Sequence, residues 1–317
     1  VVTILVTGAT GGIGRTLVPL LASSRAEVIA TGRDAAIGRT LTGGVVRFAP
    51  ANLVHDDLAP LVRGVGVVVH LAARSSPWGP SAAFEMDNVV ATARLLDAAA
   101  TAGVHRFVFA STPSIFAGRQ HRLDLRADSP PTSRQLSHYA RTKLLAERLV
   151  LRDRRFSTLV LRPSAVIGPH DRAILPRLLR VLDHGIFPVG NAGTALFHPT
   201  DVRDAASAFA AAAHSAATGV ANIAGREPVG IVAMARALAA RLNVAIRVRC
   251  LPEPALHALA QAAEWWGVTT GREPPLTRFS VSTLSWSRTF NLGEAESLFG
   301  WQPAYAPAQA LAHAVQR

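Results

Sequence analysis

Lysine is almost missing from this 317-residue chain: Lys143 is the one lysine among thirty-three basic side chains. Cysteine is as scarce, and the lone Cys250 has no partner for an internal disulfide. With no secretory leader visible, a reducing cytoplasm is the expected compartment. Although 49% of the residues are hydrophobic, no run reaches the roughly 18 uninterrupted apolar residues of a membrane span. His170, Asp171 and His198 lack Cys, His or carboxylate partners at zinc-like intervals, so no metal is expected. A formal charge of +12 ordinarily points to nucleic acid. Here the arginines are spread through every segment rather than gathered with aromatics into a patch, which argues against nucleic acid and for attraction of small anions.

Against this background the position of Lys143 is informative. It follows Tyr139, one of two tyrosines, by four residues in His138-Tyr139-Ala140-Arg141-Thr142-Lys143, and residues i and i+4 share a helix face. An ammonium beside a phenol favours the phenolate, which would pull a group with a reference pKa of about 10 toward neutrality for acid or base work. The bland reading is a surface Tyr and Lys on an amphipathic helix.

The N-terminal segment favours the sharper one. An apolar, β-branched run through Val6 enters Thr7-Gly8-Ala9-Thr10-Gly11-Gly12-Ile13-Gly14, and a helical pattern follows. Glycines 8, 11 and 14 allow a sharp turn, close approach of a pyrophosphate and tight helix packing, while Thr10, Gly12 and Ile13 complete the loop whose amides would face phosphate. A second strand follows at Glu27 to Thr31 and ends in Gly32-Arg33, where a free ribose 2′-hydroxyl would call for an acid. The Arg33 guanidinium suits a 2′-phosphate, so NADP is the expected cofactor, with NADPH preferred over NADH. Arg15 and Arg39 either join that pocket or are simply solvated.

Strand and helix patterns alternate along the chain, which predicts an α/β fold with a Rossmann-type, doubly wound parallel sheet. Strands are expected near 2–7, 27–31, 45–49, 66–71, 105–110, 157–162 and 220–224, with long helices near 81–102 and 137–154. Residues 1–169 would form the NADP-binding domain, to which 196–224 returns, and 170–317 mostly a smaller substrate-binding lobe. The segment from Leu251 to Val268, with Trp265-Trp266, is apolar but interrupted by Glu253, His257, Gln261 and Glu264; core packing or pocket lining is expected of it rather than membrane insertion.

Taken in order, these motifs resemble the extended short-chain dehydrogenase/reductase superfamily along nearly the whole chain. Asn52-Leu53 stands where that family usually has Asp-Leu near the adenine, and His70-Leu71-Ala72-Ala73 ends the fourth strand beside the cofactor. Val108 to Phe116 is similar to the family's Thr-Ser-Ser segment, with Thr112 at the active-site hydroxyl and Ser111 as the competing position. The stretch from Leu161 to Pro169 is similar to the one that runs past the nicotinamide, which implies cofactor contacts at Pro163 and Val166. The segments Ile174 to Leu179, Gly185 to Gly190, Pro274 to Phe279 and Ser75-Ser76-Pro77-Trp78-Gly79-Pro80 resemble the 3β-hydroxysteroid dehydrogenase-like group, including bacterial 2-alkyl-3-oxoalkanoate reductases. The resemblance implies a homodimer built on the two long helices.

It also implies hydride exchange between NADP(H) and a ketone or secondary alcohol on a hydrophobic substrate of steroid, polyketide or β-keto-acid type. Tyr139 would be the acid or base, Thr112 the second hydrogen-bond donor, and Lys143 the group that lowers the tyrosine pKa and holds the nicotinamide ribose. Ser111, Ser114 and Trp78 are the expected substrate contacts. A nucleotide-sugar epimerase or dehydratase with bound NAD is the alternative. Pro113-Ser114 stands where dehydratases carry an Asp-Glu pair, and Pro163-Ser164-Ala165 where epimerases tend to carry an asparagine. A non-catalytic, cofactor-sensing regulator is the third reading.

Overall fold

The computed structural model describes residues 2–24, 26–76, 78–171, 173–183 and 185–315; of the residues named above, Pro77 lies outside them. Seven parallel strands form the main sheet, in the order Gly219–Ile223, Ser157–Pro163, Arg106–Ala110, Val67–His70, Thr3–Thr7, Glu27–Thr31, Val46–Phe48. Each expected strand is present with its ends within one residue. Side chains alternate across the sheet: Ile4 and Val6 enter the core on one face, Leu5 on the other. Because both faces are covered, the strands read as near-continuous apolar runs.

Helices Gly12–Ser23 and Val202–His214 cover one face through Leu17, Val18, Leu21 and Phe209. On the other lie Ala91–Thr101 and His138–Arg152, with Leu95, Leu96, Ala146 and Val150. From Thr3–Thr7 the sheet grows toward Glu27–Thr31 on one side and Val67–His70 on the other. A crevice opens at the carboxyl ends of strands at such a switch point.

The helix expected over 81–102 is present but not α-helical throughout. Ser81–Glu85 gives way to a π-helical turn, Met86–Val90, before Ala91–Thr101 resumes the α-form. The amphipathic pattern cannot reveal this widening, which arises where the buried Asn88 exchanges hydrogen bonds with the Arg74 backbone and donates to the Thr142 hydroxyl at 3.0 Å. Such turns often mark functional sites.

A separate core of Leu182, Phe187, Val189, Ile231, Met234 and Leu238 holds the smaller region after residue 170. Strand Arg247–Cys250 pairs there with Ile186–Val189. The stretch around residues 295–305 leaves it, before Leu311 returns to it. Ala295 and Trp301 join the core beneath the main sheet, and the Asp204 carboxylate accepts the Ala304 and Tyr305 amides. Helix Glu253–Thr270 only partly meets its expectation: Leu256 and Ala260 are buried, whereas Leu259, Trp265 and Val268 are more than half exposed. No described helix is long and apolar enough to cross a membrane.

One buried contact ties the helix of Tyr139 to the sheet. Glu147 accepts from Arg162 Nη2 at 2.5 Å and Nε at 3.0 Å, and from the Ser111 hydroxyl at 2.5 Å. Arg162 also donates to the Ala127 carbonyl. Removing one partner of such a pair strands the other charge at a cost of about 3–5 kcal/mol, whereas removing both is far milder. Glu147→Leu should therefore lose most of that amount in urea denaturation and the double variant Glu147→Leu/Arg162→Leu much less; equal losses would contradict the pairing.

Candidate active site

A cavity of about 1330 Å³ opens at the switch point and runs from the glycine turn into the smaller region. Gly8 lies at φ +67°, and a Cβ there would meet the Ala72 amide nitrogen at 2.7 Å. A Cβ on Gly14 would meet the Gly8 carbonyl oxygen at 2.5 Å. Both positions thus exclude a side chain. Helix Gly12–Ser23 begins at Gly11 with no side-chain cap, so its first amides are left for an anion at the positive end of the helix. Thr10, Ile13, Asn52, Leu53, Leu71, Ala72 and Ala73 continue this wall, with Pro163 and Val166 farther along it. These features fit a dinucleotide.

At the end of the second strand, Arg33 lines the cavity and lies 3.7 Å from Asp87. The only acid beside it in sequence, Asp34, is committed to capping the next helix by accepting the Ile37 amide at 3.0 Å. Arg15 and Arg39 do not line the cavity.

Thr112, Tyr139 and Lys143 meet on the same wall, with Ser111 and Ser114 beside them. Ser137 caps helix His138–Arg152 by accepting the Ala140 amide, which places Tyr139 in its first turn. Thr112 also has a local role: it accepts the Ser114 amide at 3.1 Å and donates to the Ser114 hydroxyl at 3.0 Å. Ser111 gives its proton to Glu147, which commits that hydroxyl to the scaffold. Trp78 is not on the wall. Its indole packs against helix Glu253–Thr270, 2.9 Å from where a Gly267 Cβ would stand, so the ring occupies a gap left by the glycine.

The electrostatics differ from the expectation at one point. Burial raises the Tyr139 pKa, with a Thr112 hydrogen bond acting in the opposite direction, so the phenol is held protonated rather than drawn toward phenolate. Burial also brings Lys143 down to about 7, against the raising influence of Glu147. The Lys143 Nζ lies 4.0 Å from the centre of the Phe109 ring. Beneath this group, His70 is buried between the Thr7 and Thr92 hydroxyls and stays neutral, its pKa lowered to about 3 by burial and then by the Lys143 charge. His198 is likewise structural, bonded to the Gly225 carbonyl and the Phe290 amide.

Beyond Tyr139 the lining becomes apolar and aromatic. It includes Phe187, Pro188, Trp266, Pro274, Pro275, Leu276, Phe279, Trp286 and Phe290. The sequence reading missed Asn88, Glu147 and Arg288. Only Glu147 left a signal, standing one further helical turn beyond Tyr139 and Lys143 on the same face.

The family model for the NAD dependent epimerase/dehydratase family matches residues 4–224. Uncharacterized protein YbjS of Escherichia coli (strain K12) is 33% identical over 95% of this chain and 93% of its own length. The 2-alkyl-3-oxoalkanoate reductase of Stenotrophomonas maltophilia (strain K279a) is 28% identical over 95% and 94%. Among solved structures, MoeE5 in complex with UDP-glucuronic acid and NAD superposes with a TM-score of 0.75, at 27% identity over 98% of this chain and 97% of that one.

The lysine burial has a measurable consequence. Below about pH 7 the folded and unfolded chains both carry the ammonium and the folded state bears its full desolvation cost. From about 7 to 10.5 the unfolded chain holds a proton that the folded one has released, so stability from this residue rises with pH across that window. Lys143→Met should therefore raise the urea midpoint of the cofactor-free protein at about pH 6, with the gain fading toward about pH 10. A gain independent of pH would contradict the assignment.

Proposed function

The chain belongs to the NAD dependent epimerase/dehydratase family, and within it we propose an NADP(H)-dependent reductase of ketones on hydrophobic substrates. The observation that carries this reading is the pairing of a protonated, half-buried Tyr139 with an apolar, aromatic wall in one cavity. The likeness to a 2-alkyl-3-oxoalkanoate reductase over nearly the full chain supports it. So does the sequence after Thr112, where Pro113 and Ser114 offer no carboxylate for elimination chemistry.

When bound, the nicotinamide supplies the hydride to the substrate carbon. Thr112 and Tyr139 hold the carbonyl oxygen by hydrogen bonds, and Tyr139 gives its proton to that oxygen as negative charge develops there. A phenol kept neutral by burial is suited to this direction. Lys143 stands behind Tyr139, where it holds the ribose hydroxyls and returns a proton to the phenol. Its pKa near 7 allows both charge states at neutral pH. Apolar residues around the reacting carbon exclude water.

Arg33 is the proposed contact for the 2′-phosphate, since Asp34 is occupied as a helix cap. Arg33→Ala should weaken NADPH binding by about 10- to 100-fold, the range of a lost charge-assisted contact, and leave NADH nearly unchanged in fluorescence titration. Tyr139→Phe should bind NADPH as the wild type does and lose about 10²–10⁴-fold in turnover. Turnover is to be measured with a panel of β-keto acids, polyketide-like ketones and 3-oxosteroids. Tight retention of NAD without net redox change would instead favour a nucleotide-sugar epimerase, the reading that the likeness to MoeE5 supports.

A further inference from the structure

Arg288 is a cation on the cavity wall that the proposed chemistry does not use. It lies on strand Arg288–Phe290 in the aromatic half, with its guanidinium carbon 6.0 Å from the centre of the Phe279 ring. Two of its five N–H donors are engaged. Nη1 donates to the Ser282 hydroxyl at 2.9 Å and Nη2 to the Thr283 hydroxyl at 2.7 Å. Those hydroxyls give their own protons to the Gly118 and Phe279 carbonyls, so each is held with a lone pair toward the guanidinium. The guanidinium is thereby fixed in orientation with no charge to balance it.

Every carboxylate on the cavity wall is committed elsewhere. Asp34 caps its helix, Asp87 pairs with Arg33 and Arg74, Asp171 accepts the amides of residues 173–175, and Glu273 pairs with Arg177 and Arg180. Among the described residues, Arg288 and Lys143 are therefore the wall cations without a carboxylate partner. Lys143 belongs to the cofactor end. The register neighbour of Arg288 on the paired strand is Arg122, a second cation. Burial lowers the Arg288 pKa to about 10, as expected of a guanidinium deprived of water and counter-ion.

An oriented, partly desolvated cation in an otherwise aromatic pocket is costly unless something of opposite charge enters. We propose that Arg288 is the receptor for an oxyanion, a carboxylate in the first instance, carried by the substrate that fills this cavity. The substrate class is then an amphiphile: an apolar body against Phe187, Trp266 and Phe279, a ketone at Tyr139, and an acidic group at Arg288. This assignment rests on the reading of the cavity as a substrate site and deepens it. Arg288 acts in specificity, not in proton transfer.

The test is calorimetric titration of the full chain, with and without NADP⁺, using decanoate, decanamide and decyl phosphate. The wild type should bind decanoate about 10- to 100-fold more tightly than the amide, the range of one charge-assisted contact. Arg288→Gln should erase that preference and Arg288→Lys should keep part of it. A purely structural role for Arg288 would not move acid-over-amide discrimination. Tighter binding of decyl phosphate than of decanoate, also lost in Arg288→Gln, supports the receptor and names its anion as phosphate. Equal affinity of the wild type for acid and amide overturns the proposal even if Arg288→Gln does not fold, as does an unchanged preference in a folded Arg288→Gln. Absence of turnover on every ketone, with acid preference intact, sinks the reductase reading alone.

Discussion

The site depends on the buried contact between Glu147 and Arg162. Helix His138–Arg152 lies against the sheet through apolar packing, which is non-directional and leaves rotation about the helix axis weakly determined. A bidentate ion pair does not. By gripping Arg162 on the strand Ser157–Pro163 and Ser111 at the end of Arg106–Ala110, Glu147 fixes which way its helix face points. Lys143 and Tyr139, one and two turns back on that face, are then aimed into the crevice. The same carboxylate carries the field that supports a charge on Lys143.

What the sequence revealed was what is local. The glycine turn, the Tyr139–Lys143 spacing and the strands are encoded in neighbouring residues, and each is present where it was expected. What it hid was made by distant segments meeting. Asn88 binds Thr142 across 54 positions and widens a helix that reads as continuous. Trp78 was expected at the substrate from a family resemblance in residues 75–80, and that resemblance carried no sign of the gap at Gly267 that its indole occupies. The sign at Tyr139 was missed for a related reason. Spacing shows that an ammonium is near, but not how much water has been removed, and here burial is the larger influence on the phenol, with the Thr112 hydrogen bond opposing it.

The two ends of the cavity follow different rules. At the glycine turn the wall is largely backbone, and side chains at Gly8 and Gly14 are excluded by contacts of under 3 Å. In the other half the wall is made of side chains, many from the smaller region, and the surface becomes aromatic. This division explains how the chain can share its fold with MoeE5 while its wall argues for a different ligand. The framework is common property of the family, and the lining is where members diverge.

The solitary lysine has a consequence for reactivity. An ε-amine brought down to about 7 by burial is a far better nucleophile at neutral pH than a solvated lysine, and this chain has no other lysine to compete with it. Lys143 is also 2% exposed, so bulk acylating reagents rarely meet it. Only an electrophile small enough to enter the cavity, or one shaped like its natural occupants, can reach that nitrogen. The composition that makes Lys143 conspicuous therefore also makes it addressable: a ligand-like aldehyde or activated ester would label this protein at one side-chain amine, in the one place where labelling reports occupancy.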